Sequence, residues 1–264
     1  MSHKKLMSVH PQKYAEISVL AQSLAAELLN RLEWVKLQPK VILDVGCGPG
    51  NSVEKLKQRY PDAKVIGIDA AYSMLQYAHI QDVSSEFICA DAQSLPLAND
   101  TVDLLFANLV LPWMSDLNAV FKEWKRVLRP EGLLVFTSLG PDTLAEWRNE
   151  LAHVQLTDCI DMHDIGDMLV RAKFSDPVMD VDYITLTYKD INQLLNELEI
   201  TGIIVPEENN SYAAAKNKQS AESVYTTSYE IIYGHAWGPL ATTDHTADDD
   251  GIVRIPLSHL RRRR

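Results

Sequence analysis

LDVGCGPG, Leu43 to Gly50, follows directly on Val41 and Ile42 and sets glycines at alternate positions 46, 48 and 50. The apolar run reads as a buried strand, and the segment from Asn51 to Tyr60 reads as a helix. A glycine turn between the two lets a ligand approach the backbone closely, near the positive end of the helix dipole. The dinucleotide fingerprint G-x-G-x-x-G would put its third glycine at position 51, which is Asn51. Here the glycines alternate and Asp44 stands two residues before the first. A carboxylate at that point suits an ammonium group and would repel a pyrophosphate.

Outward from this turn, strand-like runs recur: KVIGID (64–69), SEFICAD (85–91), VDLLFANL (102–109) and GLLVFTSL (132–139). Helical patterns separate most of them, notably Leu117 to Leu128, closed by Pro130 and Gly132. Short apolar strands alternating with helices predict an α/β fold, a doubly wound and mostly parallel sheet with helices on both faces. Apolar spacing from Tyr14 to Leu37 predicts one N-terminal helix ahead of the first strand. After Gly140 the pattern predicts helices at 142–153, 161–172 and 191–198 and a strand at 179–187. A final strand at 226–237 gives the sheet one antiparallel member. The polar stretch 206–220 reads as a loop. The chain of 264 residues reads as one domain, with an N-terminal lid (1–38), a ligand-binding core (39–140), a substrate-side portion (141–237) and a tail (238–264).

Composition narrows the class. With 46% hydrophobic and 23% charged residues this is an ordinary globular chain. No apolar run reaches the ~18 residues of a membrane span, and no signal-peptide pattern opens the chain. The net charge of -11 argues against nucleic acid as a partner. Cys47, Cys89 and Cys159 show no metal-ligand spacing, so no metal site is expected and the thiols fit a reducing cytoplasm. Arg261 to Arg264 read as a solvated tail.

Two further acids end strands. Asp69 closes the second, where a carboxylate can accept ribose hydroxyls, and Asp91 with Ala92 follows the third. Three acids on the carboxyl edge match the place where open sheets bind ligands. The D-x-G-x-G-x-G loop, Asp44 to Gly50, resembles that of class I S-adenosylmethionine methyltransferases, which have a Rossmann-like fold. That resemblance implies S-adenosyl-L-methionine as cofactor, held by Asp44, Gly46, Cys47, Gly48, Gly50, Asp69, Ala70, Asp91, Ala92 and Asn108. Leu95 and Leu97 are apolar walls or core.

Later segments are more specific. FTSLGPDTLAEWR (136–148), DMHDIGDMLVRAKFSDPVMDVDYITLTY (161–188) and YEIIYGHAWGP (229–239) resemble the malonyl-[acyl-carrier protein] O-methyltransferase family of biotin synthesis. The resemblance implies a cytoplasmic enzyme that methylates the free carboxylate of malonyl carried on acyl carrier protein, malonyl-coenzyme A being a second possible donor of that group. A malonate carboxylate is ionised at neutral pH, so no general base is required. Candidate substrate-positioning residues are Tyr14, Asn108, Trp113, Arg148 and His163, with His235 in a family-like motif. Arg148 is the candidate to steer the carboxylate through a bidentate contact. Where the family follows its N-terminal Tyr with a His-Ala pair and a Gln, this chain has Ile17 and Ser18, with Gln22 displaced. Lys122, Lys125, Arg126 and Arg129 form a candidate basic patch for an acidic carrier protein, or else a solvated helix face. Arginine hydroxylases that assist complex I assembly share the cofactor loop and a similar DTL…R segment, and are the rival reading; a methyltransferase for another small acid is a third.

Overall fold

A computed structural model describes residues 10–151, 155–157, 159–205 and 224–239. Its centre is a seven-stranded sheet in the order β3-β2-β1-β4-β5-β9-β7. In chain order the strands are β1 (Val41–Val45), β2 (Lys64–Asp69), β3 (Glu86–Cys89), β4 (Val102–Asn108) and β5 (Leu128–Leu139), then β7 (Ser175–Tyr188) and β9 (Tyr225–Trp237). The first five pair in parallel, while β9 runs antiparallel to both its neighbours, β5 and β7. One strand is therefore reversed, as the sequence predicts. A two-residue antiparallel pairing joins β6 (Gln155–Leu156) to β8 (Ile204–Val205) apart from this sheet.

The central strands are apolar on both sides because helices cover both faces. Leu104 and Phe106 of β4, with Leu133 and Val135 of β5, enter one core layer. That layer is closed by α2 (Val19–Arg31), α3 (Asn51–Arg59) and α7 (Ile191–Ile200). The intervening Leu105, Ala107, Leu134 and Phe136 enter the other, against α5 (Leu117–Val127) and α6 (Met162–Arg171). Trp124, Phe121 and Phe174 meet there edge to face, which fills the layer with rigid aromatic volume. α4 (Tyr72–Gln81) packs beside β2 and β3.

Two expected helices differ. The N-terminal one is broken at Ser18, into α1 (Pro11–Ile17) and α2, with a 3-10 turn at Leu32–Trp34 beyond. Ser18 is buried with ψ 54, and Gln22 Nε2 donates to the Ala15 carbonyl at 2.6 Å across the break. Of the stretch expected as a helix over 142–153, the described residues 142–151 are instead a set of turns with one 3-10 segment, Ala145–Trp147, and 152–153 lie outside the described residues. Its polar groups are spent on β9: the Leu144 amide donates to the Ser228 carbonyl at 2.9 Å and Trp147 Nε1 to the Thr226 carbonyl at 2.8 Å. Leu144 itself takes φ 57, which a helix cannot contain. The loop expected over 206–220 and the Arg261–Arg264 tail lie outside the described residues.

Candidate active site

The carboxyl ends of β1, β2, β3 and β4 open onto one shared cleft. The glycine loop is folded back onto the end of β2, since the amides of Gly46 and Cys47 both donate to the Ile68 carbonyl, at 2.7 and 3.0 Å. Gly46 has φ 69, and a Cβ on it would stand 2.5 Å from Val110 Cγ2, so only glycine fits. Gly50, at φ 89, is the cap residue from which α3 departs.

Asp69 ties this loop to the next helix. Its Oδ2 accepts the Gly48 amide at 2.9 Å and its Oδ1 the Ala71 amide at 2.7 Å. Burial raises its pKa, and the bonds from Ala71, Gly48 and Ala70 pull the other way. Asp44 is more extreme. It is 1% exposed in β1, its Oδ2 meets no hydrogen-bond donor among the described residues, and burial first, then the charge of Asp69, holds its carboxyl well above the usual range. An orphaned buried carboxylate oxygen costs about 1–3 kcal/mol or more, and a cationic ligand group would relieve it. The side chain lies behind the loop, not on the cleft lining.

Ala70, Asp91 and Ala92 line the cleft. Asp91 Oδ1 accepts the Gln93 amide at 2.8 Å, and the Ala92 carbonyl is held by Trp124 Nε1 at 3.1 Å. Asn108, at the end of β4, is fixed on both sides. Its Nδ2 donates to the Ala21 carbonyl of α2 at 2.9 Å, and its Oδ1 accepts from Thr137 Oγ1 at 2.7 Å. The same Thr137 oxygen accepts the amide of Leu109, a lining residue at φ 55. Strained non-glycine backbone of this kind costs about 1–3 kcal/mol and collects at functional sites.

Tyr14 and Trp113 close the cleft. The Tyr14 ring lies 3.9 Å from where a Gly48 Cβ would stand, and burial, then Asp69, pushes its hydroxyl up to about 12. Cys47 does not line the main cleft. It lines a side cavity with Ser18, Gln22 and Lys55, and burial pushes its thiol well up, which leaves it unreactive.

Two expected site residues, and the histidine of a family-like motif, stand apart. The guanidinium of Arg148 is about half exposed, donates to the Pro141 carbonyl and lies 3.8 Å from Asp142, off the cleft lining. His163 is 79% exposed and bonds Asp161 at 2.8 Å, beside the start of α6. His235, on β9, is pushed down by burial and then by Arg31, far along the sheet from the glycine loop. Two of the four cations of the basic patch are paired, Arg126 with Glu123 at 2.7 Å and Arg129 with Asp103 at 2.6 Å. Leu95 and Leu97 belong to the core beneath α5, not to the cleft wall. Walls that the sequence reading missed are Ile68, Met74, Leu109, Val110 and Met114. For Leu109 and Val110 the signal lay in their place directly after Asn108, where they read equally well as strand. Among the described residues no group of acids, histidines and cysteines could hold a metal ion, and no helix is long and apolar enough to cross a membrane.

Residues 43–136 match the family described as "Methyltransferase domain". A malonyl-[acyl-carrier protein] O-methyltransferase of Gallionella capsiferriformans is 39% identical, over 93% of this chain and 91% of the relative. The chain belongs to the malonyl-[acyl-carrier protein] O-methyltransferase family. A second member, from Legionella pneumophila, is 36% identical over 88% of this chain and 89% of its own. Among solved structures, a Haemonchus contortus phosphoethanolamine N-methyltransferase in complex with S-adenosyl-L-methionine shares the fold. Its TM-score is 0.53 at 18% identity, over 82% of this chain and 52% of that one. In this O-methyltransferase, then, the cleft at the strand ends lies where an open α/β sheet binds its ligand.

Proposed function

We propose that this enzyme transfers the methyl group of S-adenosyl-L-methionine to the free carboxylate of malonyl-[acyl-carrier protein], yielding the methyl ester that primes pimeloyl synthesis for biotin. The near-full-length likeness to enzymes of that name carries the reading. Asp44 supports the cofactor through its field, because its buried, unpartnered oxygen off the cleft lining favours a ligand with a cationic amino-acid end. Asp69 would accept ribose hydroxyls and Asp91 would accept from the adenine amine, both lining the cleft.

When bound, the cofactor supplies an electrophilic methyl on a sulfonium. A malonate oxygen forms the new C–O bond as the S–CH₃ bond breaks, so anion and cation become two neutral products and no proton moves. The protein's tasks are therefore positional. Asn108, fixed by Ala21 and Thr137, and Tyr14 with Trp113 hold the reacting groups in line and keep water out. The carrier protein approaches from outside, where the exposed Arg148 can meet its acidic surface.

The test is mass spectrometry of malonyl-carrier protein incubated with enzyme and S-adenosyl-L-methionine. A gain of one methyl, removed by esterase, is expected. An arginine-bearing substrate oxygenated in its place would reassign the enzyme to the hydroxylases.

A further inference from the structure

The chain entering α5 and the segment before α6 line an open groove, with room of about 580 Å³. Met114 lines both this groove and the cleft, so the two meet there. The floor is apolar: Met114, Ile160 and Met168 are partly buried against the core layer beneath α5 and α6. Most polar side chains along it are neutral, Ser115 and Asn118 on one side and Thr157 on the other. Thr157 Oγ1 donates to the Pro112 carbonyl at 2.6 Å and keeps its lone pairs free to accept. Ser115 and Asn118 are exposed, and neither side chain has a hydrogen-bond partner among the described residues. No Lys, Arg or His lines the groove, whereas Asp116, the cap of α5, does.

Farther along α5 the chemistry changes. Asn118, Lys122 and Lys125 are spaced four and three residues apart, which sets them on one helix face. Both lysines line a second, shallow basin over the same helix, and neither takes an ion pair among the described residues. Glu123 between them is already engaged: it accepts the Leu95 amide at 2.7 Å and pairs with Arg126 through both oxygens, at 2.7 and 2.8 Å. With Arg126 the basin holds three cations against Glu123 and Asp100, so it stays positive.

Resting on the reading of the substrate as a malonyl thioester, we propose that the groove holds the 4′-phosphopantetheine arm that carries the malonyl group, its sulfur end at Met114 and its phosphate at Lys122 and Lys125. The arm's own chemistry runs in that order. Next to the thioester come two amides and a dimethyl-substituted carbon, which call for neutral donors and acceptors over an apolar floor. The phosphate at the far end calls for cations, and lysine serves a phosphate as a point charge. Asp116 disfavours the opposite direction, since it would put a carboxylate beside the phosphate. From Leu117 to Lys125 the helix rises about 12 Å, so the phosphate stands two turns from the cleft mouth, within reach of one extended arm. Met114 and Met168, unbranched and adaptable, can yield to a chain lying between them. Coenzyme A and the carrier protein end in the same arm, so either could present the malonyl group by this route.

The experiment is steady-state kinetics of wild type, Lys122→Glu/Lys125→Glu and Asn118→Trp, with cofactor Kd measured by calorimetry. The malonyl thioesters compared are those of carrier protein, 4′-phosphopantetheine, pantetheine without the phosphate, and N-acetylcysteamine, which ends after the first amide. The double lysine variant should raise KM about tenfold on carrier protein and on the phosphorylated arm, with KM on the unphosphorylated arm unchanged. Asn118→Trp, which fills the groove, should raise KM about tenfold or more on every thioester except that of N-acetylcysteamine. Cofactor Kd should match wild type in both. Equal KM changes with and without the phosphate overturn the proposal, as does a wild-type KM for Asn118→Trp on every thioester. A loss confined to carrier protein also overturns it, because the lysines would then meet the protein's surface and not the arm. The lysine comparison decides even if the Trp variant fails to fold. Absence of methyl ester with the wild type on malonyl-carrier protein would instead bring down the substrate reading, and this inference with it.

Discussion

Asp44 shows how a residue's cost and its use coincide. Its folded pKa lies above that of an unfolded aspartate, so the folded state holds the proton more tightly. Stability associated with that proton is complete below the unfolded pKa and is lost as pH rises toward the folded one. At neutral pH the ligand-free protein therefore carries a penalty. Asp44→Asn is expected to stabilise the ligand-free enzyme at pH 7 by about 1–3 kcal/mol while weakening cofactor binding at least tenfold, read by thermal melts and calorimetry on the same samples. A less stable Asn variant would mean that the carboxylate has a partner after all. Arg148 calls for a different readout. Because its guanidinium lies outside the cleft, Arg148→Ala should raise KM for the carrier-protein substrate about three- to tenfold and leave KM for malonyl-coenzyme A unchanged. Equal losses on both would bring it back to the malonyl carboxylate. Asp44, Asp69 and Asp91 were legible in the sequence because a strand's end fixes where its last side chain goes. The placements of Arg148 and His163 away from the cleft were not, because they depend on which surface covers them.

At the scale of elements, the contact that matters joins α2 to the sheet. Asn108 reaches the Ala21 carbonyl only because Thr137, one strand over in register, holds the other end of its amide. Thr137→Val removes both the bond to Asn108 and the acceptor for the Leu109 amide. Loss of these buried hydrogen bonds predicts about 1–3 kcal/mol of destabilisation and a several-fold rise in cofactor Kd, with Thr137→Ser recovering most of both. A Ser variant as poor as Val would show that the methyl, not the hydroxyl, does the positioning. The first five strands were readable from apolar runs punctuated by Gly and Asp. The segment after Gly140 misled because its apolar spacing, Leu144, Trp147 and Leu151, fits a helix as well as turns. Its partner, β9, lies some 80 residues away, and local pattern carries no sign of a bond from Leu144 to Ser228. The break at Ser18 was hidden in the same way, since both halves keep helical apolar spacing.

For the whole molecule, the sheet order puts β1 and β4 side by side at the centre, with the chain winding outward in both directions. The cleft at that reversal is shared by several elements, so its ligand should brace the entire fold. S-adenosyl-L-methionine at about 100 times its Kd is expected to add roughly 2.7 kcal/mol of stability, seen as a rise in Tm, and NAD none. A Tm raised by NAD alone would undo the assignment of the glycine loop.

The reversed strand has a further consequence, for biosynthesis. β9 is the last described strand in the chain, yet it lies between β5 and β7, pairing with β7 from Tyr225 to Trp237 and with β5 over its second half, Ile231 to Trp237. During translation, the 14-residue β7 leaves the ribosome with no sheet to join. The nascent chain must keep that edge and the open flank of β5 apart from other strands until Trp237 emerges. The first five strands can thus assemble progressively as they are made, and the last two only in a single late step. A nascent chain that has emerged from the ribosome past Tyr188 but not yet to Tyr225 would hold a folded cofactor core trailing an unpaired strand, a species open to proteases and to chaperones.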